Sequence, residues 1–64
     1  MARILVVDDD VAVRESLGRL LTRAGHEVDE ARNGKGAMAA LDATAYDVVV
    51  TDINMPEMDG IEVI

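Results

Sequence analysis

The chain has 64 residues, no cysteine and a formal net charge of −7 at pH 7. This length suffices for one small domain at most, and the lack of cysteine excludes disulfides and thiolate metal sites. The negative charge disfavours nucleic-acid binding, because a phosphate backbone would be repelled. The apolar runs are too short to span a bilayer. We therefore expect no contact with nucleic acid or membrane, and a cysteine-free composition fits the cytoplasm.

The first predicted element is a strand at residues 4–7, ILVV, where four consecutive residues are apolar. An uninterrupted apolar run indicates a strand covered on both faces, as in a parallel sheet. It stops at three carboxylates, which is not the pattern of a signal peptide. Either Asp9 or Asp10 is a suitable N-cap for a helix at residues 11–24. That helix has one apolar stripe at spacings of three and four, formed by Val13, Leu17, Leu20, Leu21 and Ala24.

The middle of the chain predicts a second strand and a second helix. Residues 26–31, HEVDEA, are typical of a short edge strand blunted by its charges. The single histidine, His26, has no second His or Cys to complete a metal site. Residues 33–36, NGKG, indicate a turn, and residues 36–43 predict an alanine-rich helix. The predicted buried side of this helix comprises Ala37, Met38, Leu41 and Ala45.

The third predicted strand leads into residues 46–60, YDVVVTDINMPEMDG. Three valines and Thr51 precede Asp52, which is followed by turn-forming residues; this is the pattern of a buried strand that ends in a loop. Taken alone, Asp52 is equally well explained as a turn residue, since Asp is common in turns. Residues 58–64 begin another helical pattern. The order β-α-β-α-β, followed by the start of a helix, predicts an α/β fold with a parallel sheet.

Three carboxylates are expected at one edge of this sheet. Asp8 and Asp9 follow the first strand, and Asp52 follows the third. Ligands of open parallel sheets bind beyond the carboxyl ends of the strands, so the carboxylates meet if these strands are neighbours. Without a partner they would repel one another. Mg²⁺, a hard cation that takes oxygen ligands, would resolve this conflict. The alternative is that residues 8–10 only cap the first helix.

These motifs together resemble a known family. ILVVDDD before a helix, and YDVVVTDINMPEMDG after two βα units, are similar to the N-terminal half of a bacterial two-component response-regulator receiver (CheY-like) domain, over residues 4–64. The resemblance implies a flavodoxin-like parallel sheet with strand order 2-1-3. It implies that Asp52 is the phosphoacceptor and that a histidine kinase or phosphotransfer protein donates the phosphoryl group. It also implies Mg²⁺ as cofactor, held by Asp8, Asp9, Asp52 and the backbone carbonyl of Asn54.

The family's domain is about twice as long, so residues 1–64 are expected to form a partial receiver domain. In the family, a fourth strand ends in Ser or Thr and a fifth in Lys, and both contact the phosphoryl group. Neither position is present in this sequence, and Lys35 lies in the wrong loop to replace the lysine. We therefore expect impaired switching and no enzyme activity. We also expect self-association into a homo-oligomer, in the simplest case a dimer, through the exposed edge of the third strand.

Two other function classes stay open. A phosphatase of the haloacid-dehalogenase type shares the D-x-D pattern that begins at Asp8, but it has Thr or Val where Ala12 stands. A structural or self-assembling half-domain that never binds phosphate is the other alternative. A phosphoryl group mapped to Asp52 would favour the receiver, whereas one mapped to Asp8 would favour the phosphatase.

Overall fold

A computed structural model describes residues 1–51, along which three strands alternate with two helices. These are β1 (Arg3–Val7), α1 (Val11–Arg23), β2 (Glu27–Ala31), α2 (Gly34–Ala43) and β3 (Val48–Thr51). The strands form one parallel sheet in the order β2-β1-β3. The predicted α/β class, parallel sheet and strand order are thereby confirmed. The start of a third helix, predicted at residues 58–64, lies outside the described residues.

The central strand β1 carries the core. Leu5, Val6 and Val7 are the largest fully buried side chains, as expected for an apolar run between two neighbouring strands. Because side chains alternate along a strand, Leu5 and Val7 share one face. There they pack with the buried alanines Ala31 and Ala37, which places α2 on this face of the sheet. The partly buried residues around this cluster are Ala40, Leu41, Tyr46 and Val49.

Helix α1 covers the opposite face, over β2 and β1. Its one buried residue is Gly18, where an added Cβ would lie 3.9 Å from Cγ1 of Val28. The predicted apolar stripe was wrong in part, because Val13, Leu20 and Ala24 are exposed. Periodicity locates a stripe on a helix but not the position of the helix axis above a sheet. Close approach at Gly18 sets the line of contact instead.

Helix α2 begins at Gly34, two residues before its predicted start. Asn33 is its N-cap, and Oδ1 of Asn33 accepts a hydrogen bond from the backbone N–H of Gly36 at 2.8 Å. The residues predicted to form a turn therefore begin the helix instead, since Asn is favoured both in turns and at helix N-caps. The predicted burial of Met38 and Ala45 was wrong because both are exposed. The inward side of α2 consists of Gly34, Ala37, Ala40 and Leu41. No helix within residues 1–51 is long and apolar enough to cross a membrane.

A polar cluster near the amino ends of the strands was not predicted. The Tyr46 hydroxyl donates to Oδ2 of Asp29 at 2.6 Å, and Nη2 of Arg3 donates to the same oxygen at 2.9 Å. The hydrogen bond from Tyr46 makes the larger contribution and the one from Arg3 the next, and together they hold the pKa of Asp29 below its ordinary value. The hydrogen bond to Asp29 raises the pKa of Tyr46. The three side chains come from separate segments, so only the fold brings them together.

We expect this cluster to make stability depend on pH at both extremes. The pKa of Asp29 is lower in the folded chain than in the unfolded chain, so Asp29 stabilises the fold above about pH 4, and this stabilisation is lost as the pH falls through the folded pKa. The folded pKa of Tyr46 is raised, so its contribution is present below about pH 10 and is lost as the pH rises through the folded pKa. Since the chain has one Tyr and no Trp, an absorbance titration of the phenol reports Tyr46 alone.

The matched variants for this titration are Asp29→Asn and Glu27→Gln. Asp29→Asn should move the pKa of Tyr46 back toward its ordinary value, because it removes the charged acceptor. Glu27→Gln removes a carboxylate that pairs with Nη1 of Arg3 at 3.2 Å, and it should leave the Tyr46 titration unchanged. An unchanged Tyr46 pKa in Asp29→Asn would contradict the expectation.

Candidate functional site

The three aspartates after β1 have different structural roles. Asp10 is the N-cap of α1, and its Oδ1 accepts hydrogen bonds from the backbone N–H groups of Ala12 and Val13 at 2.9 and 3.3 Å. Oδ1 of Asp8 accepts from the backbone N–H of Asp10 at 2.9 Å. Within residues 1–51, Asp9 and the second carboxylate oxygen of Asp8 take part in no helix cap. Capping therefore accounts for Asp10 and leaves acidic oxygens of Asp8 and Asp9 available to a ligand.

The backbone of Asp8 is held from two sides. Its N–H donates to the carbonyl of Ala31, at the end of β2, at 3.1 Å. Its carbonyl accepts a hydrogen bond from Nη1 of Arg14, on α1, at 2.8 Å. Asp8 is half-buried and Asp9 is exposed. The acidic pair therefore begins at a fixed position, at the carboxyl end of β1, and opens to solvent.

The register between β1 and β3 bears directly on the predicted convergence of carboxylates. Val7, the last residue of β1, pairs with Thr51, the last residue of β3. In the sequence, Asp8 follows Val7 and Asp52 follows Thr51. The two strands are therefore neighbours, which was the condition for the carboxylates to meet.

The predicted metal ligands fall on both sides of the described boundary. Asp8 and Asp9 lie within it, whereas Asp52 and Asn54 lie outside the described residues. Residues 1–51 contain no group of three or more His, Cys, Asp or Glu side chains arranged to hold a metal ion. The two described carboxylates are nevertheless the oxygen ligands that Mg²⁺ prefers. The full ligand set stays a prediction.

An ion pair beside the acidic loop escaped the sequence prediction. Nε of Arg14 lies 3.0 Å from Oε1 of Glu30, on β2. Arg14 is not part of the apolar stripe predicted for the first helix, and nothing in the sequence pairs it with a strand residue sixteen positions later. The single histidine, His26, has a structural role: its Nδ1 accepts a hydrogen bond from the backbone N–H of Ala2 at 3.0 Å.

Comparison with known proteins identifies the family. The sequence profile of the response regulator receiver domain matches residues 4–64. The chain belongs to the response regulator receiver domain family. This receiver is 51% identical over 61 residues to the response regulator MprA of Mycolicibacterium vanbaalenii, and the match covers 95% of the chain and 26% of that protein. It is 48% identical over 61 residues to the transcriptional regulatory protein TcrA of Mycobacterium tuberculosis, with 95% and 24% covered.

Solved structures show the same fold for this receiver. The chemotaxis response regulator CheY4 of Vibrio cholerae superposes with a TM-score of 0.84 at 39% identity, covering 88% of this chain and 47% of that chain. A second structure of CheY4, crystallised at low pH, gives a TM-score of 0.85 at 40% identity, covering 91% and 48%. The CheY-like flavodoxin fold is therefore confirmed. The receiver chain spans about a quarter of the length of the relatives MprA and TcrA.

Proposed function

We propose that the chain is the phosphoacceptor module of a two-component phosphorelay. In this proposal a carboxylate oxygen of Asp52 attacks the phosphorus of a phosphohistidine, so that the new O–P bond replaces the N–P bond. The donor is a histidine kinase or a phosphotransfer protein. The supporting observation is the pairing of Val7 with Thr51, since Asp8 and Asp52 are the next residues in the chain. Membership of the receiver family supports the same role.

The proposed metal ligands are Asp8, Asp9, Asp52 and the backbone carbonyl of Asn54. The Asp8 and Asp9 carboxylates suit Mg²⁺ because that ion binds through one or two carboxylates together with phosphate oxygens. When bound, Mg²⁺ offsets the negative charge of the phosphoryl oxygens. The protein residues supply the remaining requirement of phosphoryl transfer, which is positioning of the nucleophile. The described contacts that position Asp8 are consistent with such a role.

The proposal includes no turnover of a separate substrate, because Asp52 itself receives the phosphoryl group. It also includes a cytoplasmic location. Support comes from the relative TcrA, which is named a transcriptional regulatory protein, since bacterial transcription takes place in the cytoplasm. The net charge of −7 argues that nucleic acid is not a partner of this segment.

Acetyl phosphate provides a direct test of the proposed function. The chain is incubated with acetyl phosphate in two parallel samples, one with Mg²⁺ and one with a chelator in place of Mg²⁺, and the intact mass of each is measured. We expect the mass to rise by one phosphoryl group only when Mg²⁺ is present. A folded sample, verified by circular dichroism, that gains no mass would overturn the proposal. Phosphate mapped to Asp8 would favour the phosphatase alternative.

We further propose that the chain self-associates through β3. This strand lies at one edge of the described three-stranded sheet, and its Val48 and Val50 are 43% and 36% exposed. Exposed apolar edge strands favour pairing with another chain, and lysine on an edge opposes it. Val50→Lys should therefore shift a concentration-dependent dimer toward monomer in sedimentation velocity. The control is Leu20→Lys, which adds the same charge at an exposed position of α1 and should not change the dimer. If the unmodified chain sediments as a monomer at micromolar concentration, self-association is refuted.

A further inference from the structure

We propose that Arg14 and Glu30 are positioning residues for the loop of Asp8 and Asp9, and that Gly18 makes their pairing possible. The inference rests on the proposed function, because it concerns the loop assigned to Mg²⁺. None of these three residues is a proposed ligand. They act through the backbone of Asp8 and not on the ion itself.

The geometry joins three elements through one side chain. The guanidinium of Arg14 donates from Nη1 to the carbonyl of Asp8 at 2.8 Å and from Nε to Oε1 of Glu30 at 3.0 Å. Its side chain is only 16% exposed, so water competes weakly for these donors. A guanidinium holds its donors in a rigid fork, which a lysine ammonium cannot reproduce. Arg14 therefore fixes the β1–α1 loop relative to β2.

Gly18 creates the space for Glu30. A Cβ at position 18 would lie 2.9 Å from Oε2 of Glu30, a separation too short for non-bonded atoms. Any side chain there would move the Glu30 carboxylate from its present position. This explains a glycine inside a helix, where it costs about 1 kcal/mol relative to alanine. The glycine leaves room for the Glu30 carboxylate in the position from which it pairs with Arg14.

The Arg14–Glu30 ion pair also explains how a cationic side chain can lie near the proposed Mg²⁺ site. Arg14 alone would place a positive charge at the backbone carbonyl of Asp8, in the loop proposed to bind Mg²⁺, and it would repel the ion. Glu30 compensates that charge at 3.0 Å. The loop is thus anchored by a strong donor without a net positive charge next to the ligands. Positioning and simple electrostatics consequently make opposite predictions when Arg14 is neutralised.

The experiment is a titration of the ¹⁵N-labelled chain with Mg²⁺ alone, followed by the backbone amide signals of residues 8–10. Arg14→Met would strengthen cation binding if only charge mattered, whereas lost positioning should weaken it. The variant Arg14→Met with Glu30→Gln keeps the net charge, and we expect its dissociation constant for Mg²⁺ to rise about tenfold. Its Asp10 amide, which donates to Asp8 Oδ1, should also exchange with solvent faster before any Mg²⁺ is added.

The matched control is Arg19→Met with Glu15→Gln. This pair lies on the same helix at 3.8 Å, with Arg19 75% exposed, and its loss should leave both readouts unchanged. Gly18→Ala is a second test: it should weaken Mg²⁺ binding while leaving thermal stability equal or higher, a combination that a purely structural role does not produce. If the Arg14 and Glu30 variant does not fold, Arg14→Lys takes its place.

The outcomes separate the two proposals. Unchanged Mg²⁺ affinity and unchanged loop amides in the Arg14 and Glu30 variant would overturn the positioning role. If the unmodified chain itself shows no response to Mg²⁺, the proposed metal binding fails. The exchange rate of the Asp10 amide then still decides positioning, because it is measured without metal: faster exchange in the variant supports it and equal exchange overturns it.

Discussion

Replacement of Asp52 by Asn should abolish the Mg²⁺-dependent gain of one phosphoryl group from acetyl phosphate. The amide of Asn lacks the carboxylate oxygen that acts as nucleophile toward phosphorus. The same change removes one of the proposed ligands, so the affinity for Mg²⁺ should fall as well. Intact mass measures the first effect, and titration with Mg²⁺ measures the second.

Asp47→Asn is the matched control for this variant. It changes the net charge equally and lies in the same segment of the chain. Oδ2 of Asp47 accepts a hydrogen bond from the backbone N–H of Arg3 at 2.8 Å, before β3 and at the opposite end of that strand from Asp52. Asp47→Asn should accept one phosphoryl group as the unmodified chain does. Undiminished phosphorylation of Asp52→Asn would refute the assignment of the phosphoacceptor.

Leu5→Ala should cost about 2–5 kcal/mol of folding free energy, because it removes a fully buried side chain from the central strand and leaves a cavity. Domains of this size have little stability in reserve. We therefore expect a largely unfolded chain at 25 °C. Circular dichroism at 25 °C without denaturant measures the fraction of folded chain, and urea denaturation measures the free energy of unfolding of the unmodified chain.

Two variants make the Leu5 experiment specific. Leu5→Met conserves side-chain volume and should cost less than about 1.5 kcal/mol. Leu20→Ala removes the same atoms from a residue that is 63% exposed, and its effect should stay within about 0.5 kcal/mol. Equal losses in Leu5→Ala and Leu20→Ala would show that β1 is not the centre of the core.

Much of the fold was predictable because it depends on local patterns. The apolar run at residues 4–7 predicted a parallel strand covered on both faces, and the side chains of residues 4–7 in β1 are buried. Gly25, after the first helix, has a positive φ of 98°, as a C-terminal stop requires. The second helix start was misjudged because Asn33 suits a turn and an N-cap equally. The prediction of which α1 side chains are buried was wrong in part, because their burial depends on where the helix crosses the sheet.

The candidate site was predictable to a smaller extent. The sequence could not decide between Asp9 and Asp10 for the helix cap, because the two residues are adjacent and chemically alike. The structure assigns the cap to Asp10. Asp52 and Asn54 lie outside the described residues, so their roles stay predictions that rest on motif and family.

By itself, the sequence determined the order of strands and helices, the apolar core strand and the acidic pair, since these follow from residue type and spacing along the chain. Only the tertiary structure decided which residues hold that acidic pair. Arg14 and Glu30 are sixteen positions apart, and they come into contact where α1 crosses β2, next to Gly18. Such a contact depends on three-dimensional placement, because periodicity contains no information about distances between elements. The pairing of Val7 with Thr51 likewise depends on the register of two strands.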